Sequence, residues 1–297
     1  MKNEKKIFLT GGTGFIGKNI LEQLNDKYEI IAPTRQELDL IDTKKVYNFL
    51  KKNNFSLIIH TANIGGTRNA LDIPNITYTN LKIFFNLRRG GNFYKKIIFL
   101  GTGAEYGKDE KISYVKETDF DKNIPKDEYG FYKYACAKYT ENMDDILHLR
   151  LFAVFGKYED YRIRFISNII CQALLNMPIT INQNRNFNFL YIDDFVKILD
   201  FFISKEKTNH KFYNIGSDYR LDFLSITKKI LNLLKKDLPI TIKLPGLGHE
   251  YTCNIDRLKN EIDELKFIEF DTALKILIDY YKSILETIDK NSLLLNN

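Results

Sequence analysis

The sequence predicts an α/β protein built on a doubly wound parallel sheet, with helices covering both faces of the sheet. Apolar runs of four to six residues alternate with amphipathic helices through the first half of the chain. Strands that are buried on both faces have such continuous apolar runs. A glycine-rich turn joins the first run to the first helix, and right-handed crossovers then place the later strands parallel to it.

The composition fits one large α/β domain, or one such domain with a smaller lobe. The chain has 297 residues, of which 44% are hydrophobic and 28% are charged. The longest apolar runs, such as residues 197–204, are too short to span a bilayer. The net charge of +6 is spread along the chain without a basic block. We therefore expect neither a membrane nor a nucleic acid as a partner.

The cysteines and the first residues indicate the compartment. Cys136, Cys171 and Cys253 are scattered without the spacing of metal ligands. Such cysteines are typical of reduced thiols, so we expect a cytoplasmic protein without a metal site. The opening MKNEKK leads directly into a predicted core strand, which predicts that no signal peptide is present.

The elements of the first half follow from local patterns. Apolar runs bounded by turn residues predict strands at residues 6–10, 29–33, 56–61, 96–101 and 148–155. Apolar residues at helical spacing predict helices at residues 15–25, 43–53, 75–86 and 129–145. Asp42 and Thr43 form a cap signal at the start of the second helix.

The second half is less regular. Helices are predicted at residues 165–175, 193–204, 224–235 and 272–286, with a last short strand at residues 211–215. We expect a first domain over residues 1–155, to which residues 188–216 return. Residues 156–187 and 217–297 then form a smaller lobe over the carboxyl ends of the strands, where ligands bind in open α/β sheets.

The glycine turn points to a nucleotide cofactor. Gly11, Gly14 and Gly17 have the spacing G-x-x-G-x-x-G between a strand and a helix. Backbone of this kind can approach a pyrophosphate, which the free N–H groups and the dipole of the following helix then bind. The alternative is a glycine-rich turn without a ligand.

The end of the second strand distinguishes the two nicotinamide cofactors. NAD sites usually carry an acidic residue there, whereas this chain has Ala32-Pro33-Thr34-Arg35. A guanidinium suits a 2′-phosphate through charge-assisted hydrogen bonds, which favours NADP(H) over the alternative NAD(H). Otherwise Arg35 forms a surface ion pair with Glu37.

A tyrosine and a lysine four residues apart are the first catalytic candidates. Tyr129 and Lys133 share one face of a predicted helix, near its start, where side chains can face a cleft. A neighbouring ammonium stabilises a phenolate and makes tyrosine a useful acid–base. Tyr134 and Lys138 repeat the spacing, but they lie deeper in the helix.

Thr102 is the third catalytic candidate. It ends the fourth strand, in the segment FLGTGAEYG. A hydroxyl at the carboxyl end of a strand can donate to a substrate oxygen that is bound beside the tyrosine. The alternative is the structural role that threonines at strand ends usually have.

Together these residues resemble the nucleotide-sugar branch of the extended short-chain dehydrogenase/reductase superfamily. The resemblance spans essentially the whole chain and includes GGTGFIG, the order Thr102, Tyr129 and Lys133, RLFAVFG and FLYIDDF. It implies a Rossmann-type domain, a smaller carboxyl-side lobe that binds a nucleotide sugar, and a homodimer formed through helices.

Within that branch the chain is most similar to the GDP-L-fucose synthase family. TRQELDLID resembles its cofactor-side turn, TANIGGTRN its segment after the third strand, and YGFYKYACAKYTE its catalytic helix. The resemblance implies that cofactor contacts come from Gly11, Thr13, Gly14, Phe15, Ile16, Gly17, Arg35, Asp39, Leu40, Thr61, Ala62, Ile64, Tyr129, Lys133, Phe152 and Val154.

Departures from that family restrict the chemistry. The family has a cysteine two residues after the catalytic hydroxyl and a histidine in the substrate lobe, and these two groups epimerise the sugar. Here the cysteine position is Ala104, and no histidine lies between His148 and His210. The Asp-Glu pair of the 4,6-dehydratases is replaced by Gly103 and Ala104. Ketone reduction remains, without epimerisation at C3 or C5.

The resemblance also implies substrate contacts, but the sequence departs from the family most at these positions. The candidates are Gly103, Ala104, Glu105, Asn168 and Arg185. Glu105 reaches the sugar in one interpretation and faces solvent in the other. The arginine that is usual before the FLYIDDF segment is Phe187 here, and the asparagine that often follows the fifth strand is Ala153.

The sequence thus predicts an NADPH-dependent C4-ketoreductase of an NDP-4-keto-6-deoxy sugar, a GDP-linked hexose or heptose of a surface polysaccharide. One alternative is a C4 epimerase or C4 dehydrogenase with tightly retained NAD, because those reactions need only the tyrosine, the lysine and the hydroxyl. A second alternative is a non-catalytic, NADP-sensing interaction protein, although such relatives tend to lose the tyrosine or the lysine.

Overall fold

The computed structural model describes residues 3–66 and 74–294. The elements of the first half are β1 (Asn3–Thr10), α1 (Phe15–Leu24), β2 (Tyr28–Ile31), α2 (Thr43–Asn53), β3 (Phe55–His60), α3 (Ile76–Arg88), β4 (Tyr94–Thr102), β5 (Ile112–Val115), α4 (Glu128–Thr140), β6 (Ile146–Leu151) and β7 (Val154–Phe155). Those of the second half are α5 (Phe165–Leu174), β8 (Ile179–Asn184), β9 (Asn186–Asn188), β10 (Leu190–Tyr191), α6 (Ile192–Ser204), β11 (Phe212–Ile215), β12 (Arg220–Asp222), α7 (Phe223–Leu234), β13 (Ile240–Leu247), β14 (Tyr251–Cys253), α8 (Asp256–Glu261), α9 (Phe270–Ser283) and α10 (Lys290–Leu294).

The central sheet has six parallel strands in the order β11-β6-β4-β3-β1-β2. From β1 the chain moves outward to β2 and then returns past β1 to β3, so the winding direction changes between β1 and β3. Ligands bind at such a switch point, at the carboxyl ends of the strands. The predicted doubly wound, Rossmann-type fold is confirmed.

Side-chain alternation along the strands divides the core into two clusters. Ile7 and Leu9 of β1 pack with Ile20 of α1 on one face of the sheet. Phe8, between them in sequence, packs with Val46 and Phe84 of α2 and α3 on the other face. Successive strand residues point to opposite faces, and both faces here are apolar because helices cover both.

One predicted element begins where the sequence indicates, and another is divided into two strands. The Asp42 carboxylate accepts hydrogen bonds from the N–H groups of Lys44 and Lys45 at 3.1 and 3.0 Å, so α2 starts where predicted. The strand predicted over residues 148–155 is present but divided: residues 148–151 lie in β6, which ends at Leu151, and β7 begins at Val154. Ala153 interrupts it with a φ of 38°, a left-handed conformation that no strand continues through.

The second half builds smaller sheets around this core. β8 pairs with β13, β7 pairs with β10, and four strands form a sheet in the order β12-β9-β14-β5. β5 lies within the predicted first domain but pairs with β14. The domain bounds therefore remain a prediction, and β5 differs from it by pairing with a strand of the predicted lobe. No helix in the described part of the chain is long and apolar enough to cross a membrane.

Candidate active site

The glycine turn lies at the switch point, between β1 and α1. Gly11 has a φ of +74°, and a Cβ there would lie 2.6 Å from the Thr61 hydroxyl oxygen. A Cβ on Gly17 would lie 2.2 Å from the Gly11 carbonyl oxygen. Only glycine fits these two positions, because the turn and the helix start are in direct backbone contact.

The turn fits the pyrophosphate of a dinucleotide. Gly14 is the N-cap residue of α1, and no side chain caps the helix. Gly14 and Thr13 are exposed, and Phe15 and Ile16 are half-buried. The positive end of α1 is therefore open to an anion, as the G-x-x-G-x-x-G spacing predicts.

Arg35 is exposed just beyond β2. A Cβ on Gly12 would lie 2.8 Å from Ala32 Cβ, so this segment runs alongside the glycine turn. The Glu37 carboxylate accepts from the Thr34 N–H at 2.7 Å and from the Thr34 hydroxyl at 2.9 Å. Among the described residues Arg35 forms no ion pair with Glu37, which leaves the guanidinium available for a phosphate.

The remaining predicted cofactor segments line the carboxyl ends of β1 and β3. The Thr61 hydroxyl donates to the Thr10 carbonyl at 2.7 Å, and Ala62 follows it. The backbone N–H of Ile64 donates to the Asn80 side chain at 2.8 Å, and the Asn80 amide donates back to the Ile64 carbonyl at 2.8 Å. Residues 67–69, which end the TANIGGTRN segment, lie outside the described residues.

The other four predicted cofactor residues lie further from the glycine turn. Asp39 and Leu40 are half-buried, and the Leu40 carbonyl accepts from Asn86 at 2.8 Å. Phe152 is buried behind Gly103, and Val154 pairs with Leu190 between β7 and β10.

Tyr129 and Lys133 are on the first turns of α4. Asp127 caps this helix by accepting from the Gly130 N–H at 2.9 Å. The Tyr129 ring packs against Gly66, where a Cβ would lie 2.4 Å from the ring. Lys133 is buried, and its ammonium donates to the Leu100 carbonyl at 2.5 Å and lies 4.6 Å from the centre of the Phe99 ring.

The second tyrosine–lysine pair, Tyr134 and Lys138, binds an aspartate outside the cleft. The Tyr134 hydroxyl donates to the Asp121 carboxylate, and the Lys138 ammonium binds the same carboxylate at 2.8 Å. This anchors both side chains to the loop before α4, and the geometry favours Tyr129 and Lys133 as the pair that serves the cleft.

The Thr102 hydroxyl lies near the Tyr129 phenol and acts to lower its pKa. Burial raises the pKa of Tyr129 to about 12, although the nearby charge of Arg164 opposes that shift. Burial also lowers the pKa of Lys133 to about 8. At neutral pH the site therefore presents a neutral phenol beside a threonine hydroxyl.

Glu105 lies in neither of its two predicted environments. It is fully buried, and its carboxylate binds the Arg150 guanidinium at 2.7 Å and His148 Nε2 at 2.9 Å. It also accepts from the Thr102 backbone N–H at 2.9 Å. Glu105 therefore contacts neither a sugar site nor solvent, as the two interpretations had placed it. The reason is that Arg150 and His148, on the adjacent strand β6, bind its carboxylate inside the fold.

The other substrate candidates are engaged locally. The Asn168 amide donates to the carbonyls of Tyr161 and Arg162, both at 3.1 Å, and its oxygen accepts from Gln172 at 2.7 Å. Arg185 is half-buried and lies 3.4 Å from the Gln183 oxygen. Gly103 and Ala104 are buried directly beside Thr102. All five substrate assignments remain proposals, and that for Glu105 is no longer favoured.

Two residues near the site were not predicted from the sequence. Tyr251 of β14 places its hydroxyl 3.4 Å from Thr102 Oγ1. Arg164 precedes α5, and its charge acts on the Tyr129 phenol. Both come from the irregular second half, where no local spacing indicates which side chains return to the cleft.

Comparisons with known proteins identify the family. A family model described as the NAD dependent epimerase/dehydratase family matches residues 7–216. GDP-L-colitose synthase from Yersinia pseudotuberculosis is 26% identical over 255 residues, which cover 76% of this chain and 82% of that protein.

Two solved structures show the same fold. A GDP-mannoheptose C4 reductase from Campylobacter jejuni, solved with NADP bound, has a TM-score of 0.78 at 19% identity, covering 95% of this chain and 99% of that chain. UDP-glucose 4-epimerase from Thermotoga maritima has a TM-score of 0.79 at 19% identity, covering 94% and 99%. The chain therefore belongs to the NAD dependent epimerase/dehydratase family and is an enzyme of the extended short-chain dehydrogenase/reductase superfamily, as its glycine turn and its Thr102, Tyr129 and Lys133 predict.

Proposed function

We propose that this enzyme is an NADPH-dependent C4-ketoreductase of an NDP-4-keto-6-deoxy sugar, with a GDP-linked hexose or heptose as the substrate class. The observation that carries the proposal is the position of the Tyr129 phenol near the Thr102 hydroxyl, with the buried Ala104 where the related family has its cysteine. In this proposal the enzyme acts in the cytoplasm and finishes a deoxy sugar for a surface polysaccharide.

The protein groups are suited to reduction. NADPH, when bound along the glycine turn, supplies a hydride. Tyr129 acts as the general acid toward the ketone oxygen, and it is protonated at neutral pH because burial holds its pKa near 12. Thr102 donates a second hydrogen bond to the same oxygen and so stabilises the negative charge that develops there. Lys133 would bind the cofactor ribose, and its ammonium would then lower the pKa of Tyr129.

The absence of epimerisation rests on two positions. Ala104 is fully buried where the related family has its cysteine. His148 is also buried, and its Nε2 is bound to the Glu105 carboxylate inside the fold. Proton transfer at C3 or C5 needs an acid and a base on the sugar, and the proposal assigns neither.

A turnover assay tests the proposal. The purified chain is mixed with NADPH and a panel of freshly prepared NDP-4-keto-6-deoxy sugars, with loss of NADPH absorbance as the signal and NMR to identify the alcohol. We expect consumption with a GDP-linked member of the panel. No consumption with any member would overturn the proposal.

A C4 epimerase or C4 dehydrogenase is the second candidate, because Thr102, Tyr129 and Lys133 also suffice for those reactions. Such enzymes retain NAD tightly. A nicotinamide cofactor that stays with the purified chain through dialysis would favour this candidate, whereas the reductase releases its cofactor after each turnover.

Arg35 predicts the cofactor preference. In Arg35→Ala the guanidinium that pairs with a 2′-phosphate is lost, so we expect NADPH affinity to fall by about ten- to a hundredfold while NADH affinity is nearly unchanged. Titration of both cofactors by fluorescence measures this, with Arg89→Ala as a control remote from the turn. Equal affinity of the wild-type chain for NADPH and NADH would contradict the assignment.

Lys133 predicts an alkaline limb in the pH profile. Burial lowers its pKa from 10.5 to about 8, so the ammonium is present below that pH and is lost as the pH rises through it. If the charge is needed, kcat/KM for the keto sugar declines above about pH 8. Lys138→Met is the control: Lys138 is exposed on the same helix, so we expect this variant to show the same decline of kcat/KM above about pH 8. If kcat/KM stays constant well above pH 8, the Lys133 charge is not needed for the reaction.

We also propose a homodimer formed through α3 and α4. Aromatic side chains are exposed along these two helices: Tyr78 by 65%, Phe85 by 37%, Phe131 by 40% and Tyr139 by 48%. An exposed aromatic surface of this kind is typical of a protein interface. Light scattering that gives the mass of a single 34.9 kDa chain would contradict the dimer.

A further inference from the structure

The Tyr251 side chain reaches the catalytic cluster from the second half of the chain. It is on β14, which pairs with β9 through Phe187 and with β5 through Ile112. Its hydroxyl oxygen lies 3.4 Å from Thr102 Oγ1, at the end of β4. Two pieces of chain that are 149 residues apart thus meet at the hydroxyl proposed to bind the ketone.

Tightly packed neighbours fix the position of the Tyr251 ring. Its centroid lies 4.9 Å from that of Phe152 and 5.3 Å from that of Phe187. A Cβ on Gly103 would lie 2.6 Å from the Tyr251 hydroxyl oxygen. Glycine at 103, next to Thr102, therefore allows the phenol to approach.

A phenol hydroxyl among these aromatic rings is unfavourable in free energy unless it forms a hydrogen bond. Phe152, Phe187, Phe189 and Phe223 pack around the same region without polar atoms. Burial raises the pKa of the Tyr251 phenol, so the group stays protonated and acts as a neutral donor. Tyr251 is half-buried, and even partial burial of a hydroxyl costs free energy that a phenylalanine of nearly the same volume would avoid.

The hydrogen-bonding capacity of Thr102 indicates what the phenol does. A hydroxyl has one proton to donate and two positions at which it accepts. Thr102 Oγ1 accepts from the Ala104 N–H at 3.3 Å, and the Tyr251 hydroxyl is placed to fill the second position. With both accepting positions filled, the single Thr102 proton is left for an acceptor in the cleft.

We propose that Tyr251 is a positioning residue, which donates to Thr102 Oγ1 and thereby directs the Thr102 O–H at the carbonyl oxygen of the substrate. This inference rests on the proposed ketoreductase function. The 3.4 Å separation is long for a hydroxyl pair, and such contacts tighten when a site binds its substrate.

A double-mutant cycle tests the role of Tyr251. Tyr251→Phe keeps the ring between Phe152 and Phe187 and removes only the hydroxyl. We expect kcat to fall about tenfold with the KM for NADPH unchanged, as for the loss of one hydrogen bond in the transition state. In a Thr102→Val background the same change has no further effect, because its target is gone. Equal losses in both backgrounds would overturn the inference.

Tyr106→Phe is the matched control. The Tyr106 hydroxyl is also buried, near Phe152, but it donates to Asn214 at 2.7 Å rather than to Thr102. We expect this variant to lose stability and to keep kcat. A loss of kcat in Tyr106→Phe as large as that in Tyr251→Phe would show that the effect is a general one of disturbed packing, and would refute the inference.

A readout that does not need turnover separates this inference from the proposed function. NMR of isotope-labelled tyrosine follows the titration of Tyr129 in the complex with oxidised cofactor, with Tyr129→Phe assigning the signal. A weaker Thr102 donor stabilises the phenolate less, so Tyr251→Phe shifts the Tyr129 titration to higher pH and Tyr106→Phe does not. If the wild-type chain reduces no keto sugar, the proposed function fails, and an unshifted titration independently refutes the role of Tyr251.

Discussion

Tyr129→Phe is expected to lower kcat by about 10²- to 10⁴-fold, the usual contribution of a positioned general acid. The phenol is the proposed proton source for the ketone oxygen, and Thr102 beside it can donate a hydrogen bond but is a far weaker acid. The ring remains against Gly66 in the variant, so the affinity for NADPH should stay within about twofold of the wild type. Turnover with the best keto sugar and a fluorescence titration of NADPH measure the two effects.

Tyr134→Phe is the control for this experiment, since it removes the hydroxyl of the overlapping pair from the same helix. Its hydroxyl binds Asp121, so a modest loss of stability with normal kcat is expected. Near-normal turnover in Tyr129→Phe would show that another group donates the proton, and the assignment of the site would fail.

The second large effect concerns stability. Glu105→Gln leaves the Arg150 guanidinium buried without a counter-charge, and we expect the free energy of unfolding to fall by about 3–5 kcal/mol. Arg150 is held between the rings of Phe120 and Phe212, at 4.2 and 4.8 Å from their centres, so it cannot turn to solvent without disrupting them. Chemical denaturation of both proteins measures the difference.

Asp271→Asn is the matched control. Asp271 binds Lys229 at 2.8 Å, but both side chains are partly exposed, by 49% and 40%, so the loss should be under about 1 kcal/mol. A Glu105→Gln loss as small as this would mean that the buried pair contributes no more than a surface one.

The pH dependence of stability provides an independent check on Glu105. Burial alone would raise the pKa of Glu105, yet the Arg150 and His148 groups hold it at about 2, below its ordinary 4.5. A lowered carboxyl pKa stabilises the fold above the ordinary value, and this contribution is lost as the pH falls from 4.5 toward 2. The difference in stability between the wild type and Glu105→Gln should therefore shrink over that interval.

Features set by nearby residues could be predicted from the sequence. The glycine turn and the Asp42 cap act within a few residues, so the sequence carries the whole signal. The break at Ala153 was missed because its positive φ is imposed by the strand pairing around it rather than by the preference of alanine. Glycine or asparagine at that position would have indicated a turn.

The environment of Glu105 depends on contacts across the sheet. Its partners are 43 and 45 residues away on the adjacent strand. One signal was present: His148 and Arg150 alternate within an otherwise apolar strand, and buried charges of that kind require a counter-charge. Tyr251 had no such signal, because its return to Thr102 depends on how β14 pairs with β5 and β9.

NMR of the product formed in heavy water tests the central claim most directly, since it examines C4 reduction and the absence of epimerisation in one sample. The wild-type chain, NADPH and the best keto sugar are incubated together, with an enzyme-free sample to correct for spontaneous exchange. We predict one NADPH consumed for each alcohol formed at C4, with hydrogen retained at C3 and C5. Enzyme-dependent deuterium at C3 or C5 would contradict the account, because it would show that the enzyme transfers protons at those carbons. Interconversion of C4 epimers without NADPH consumption would contradict it equally.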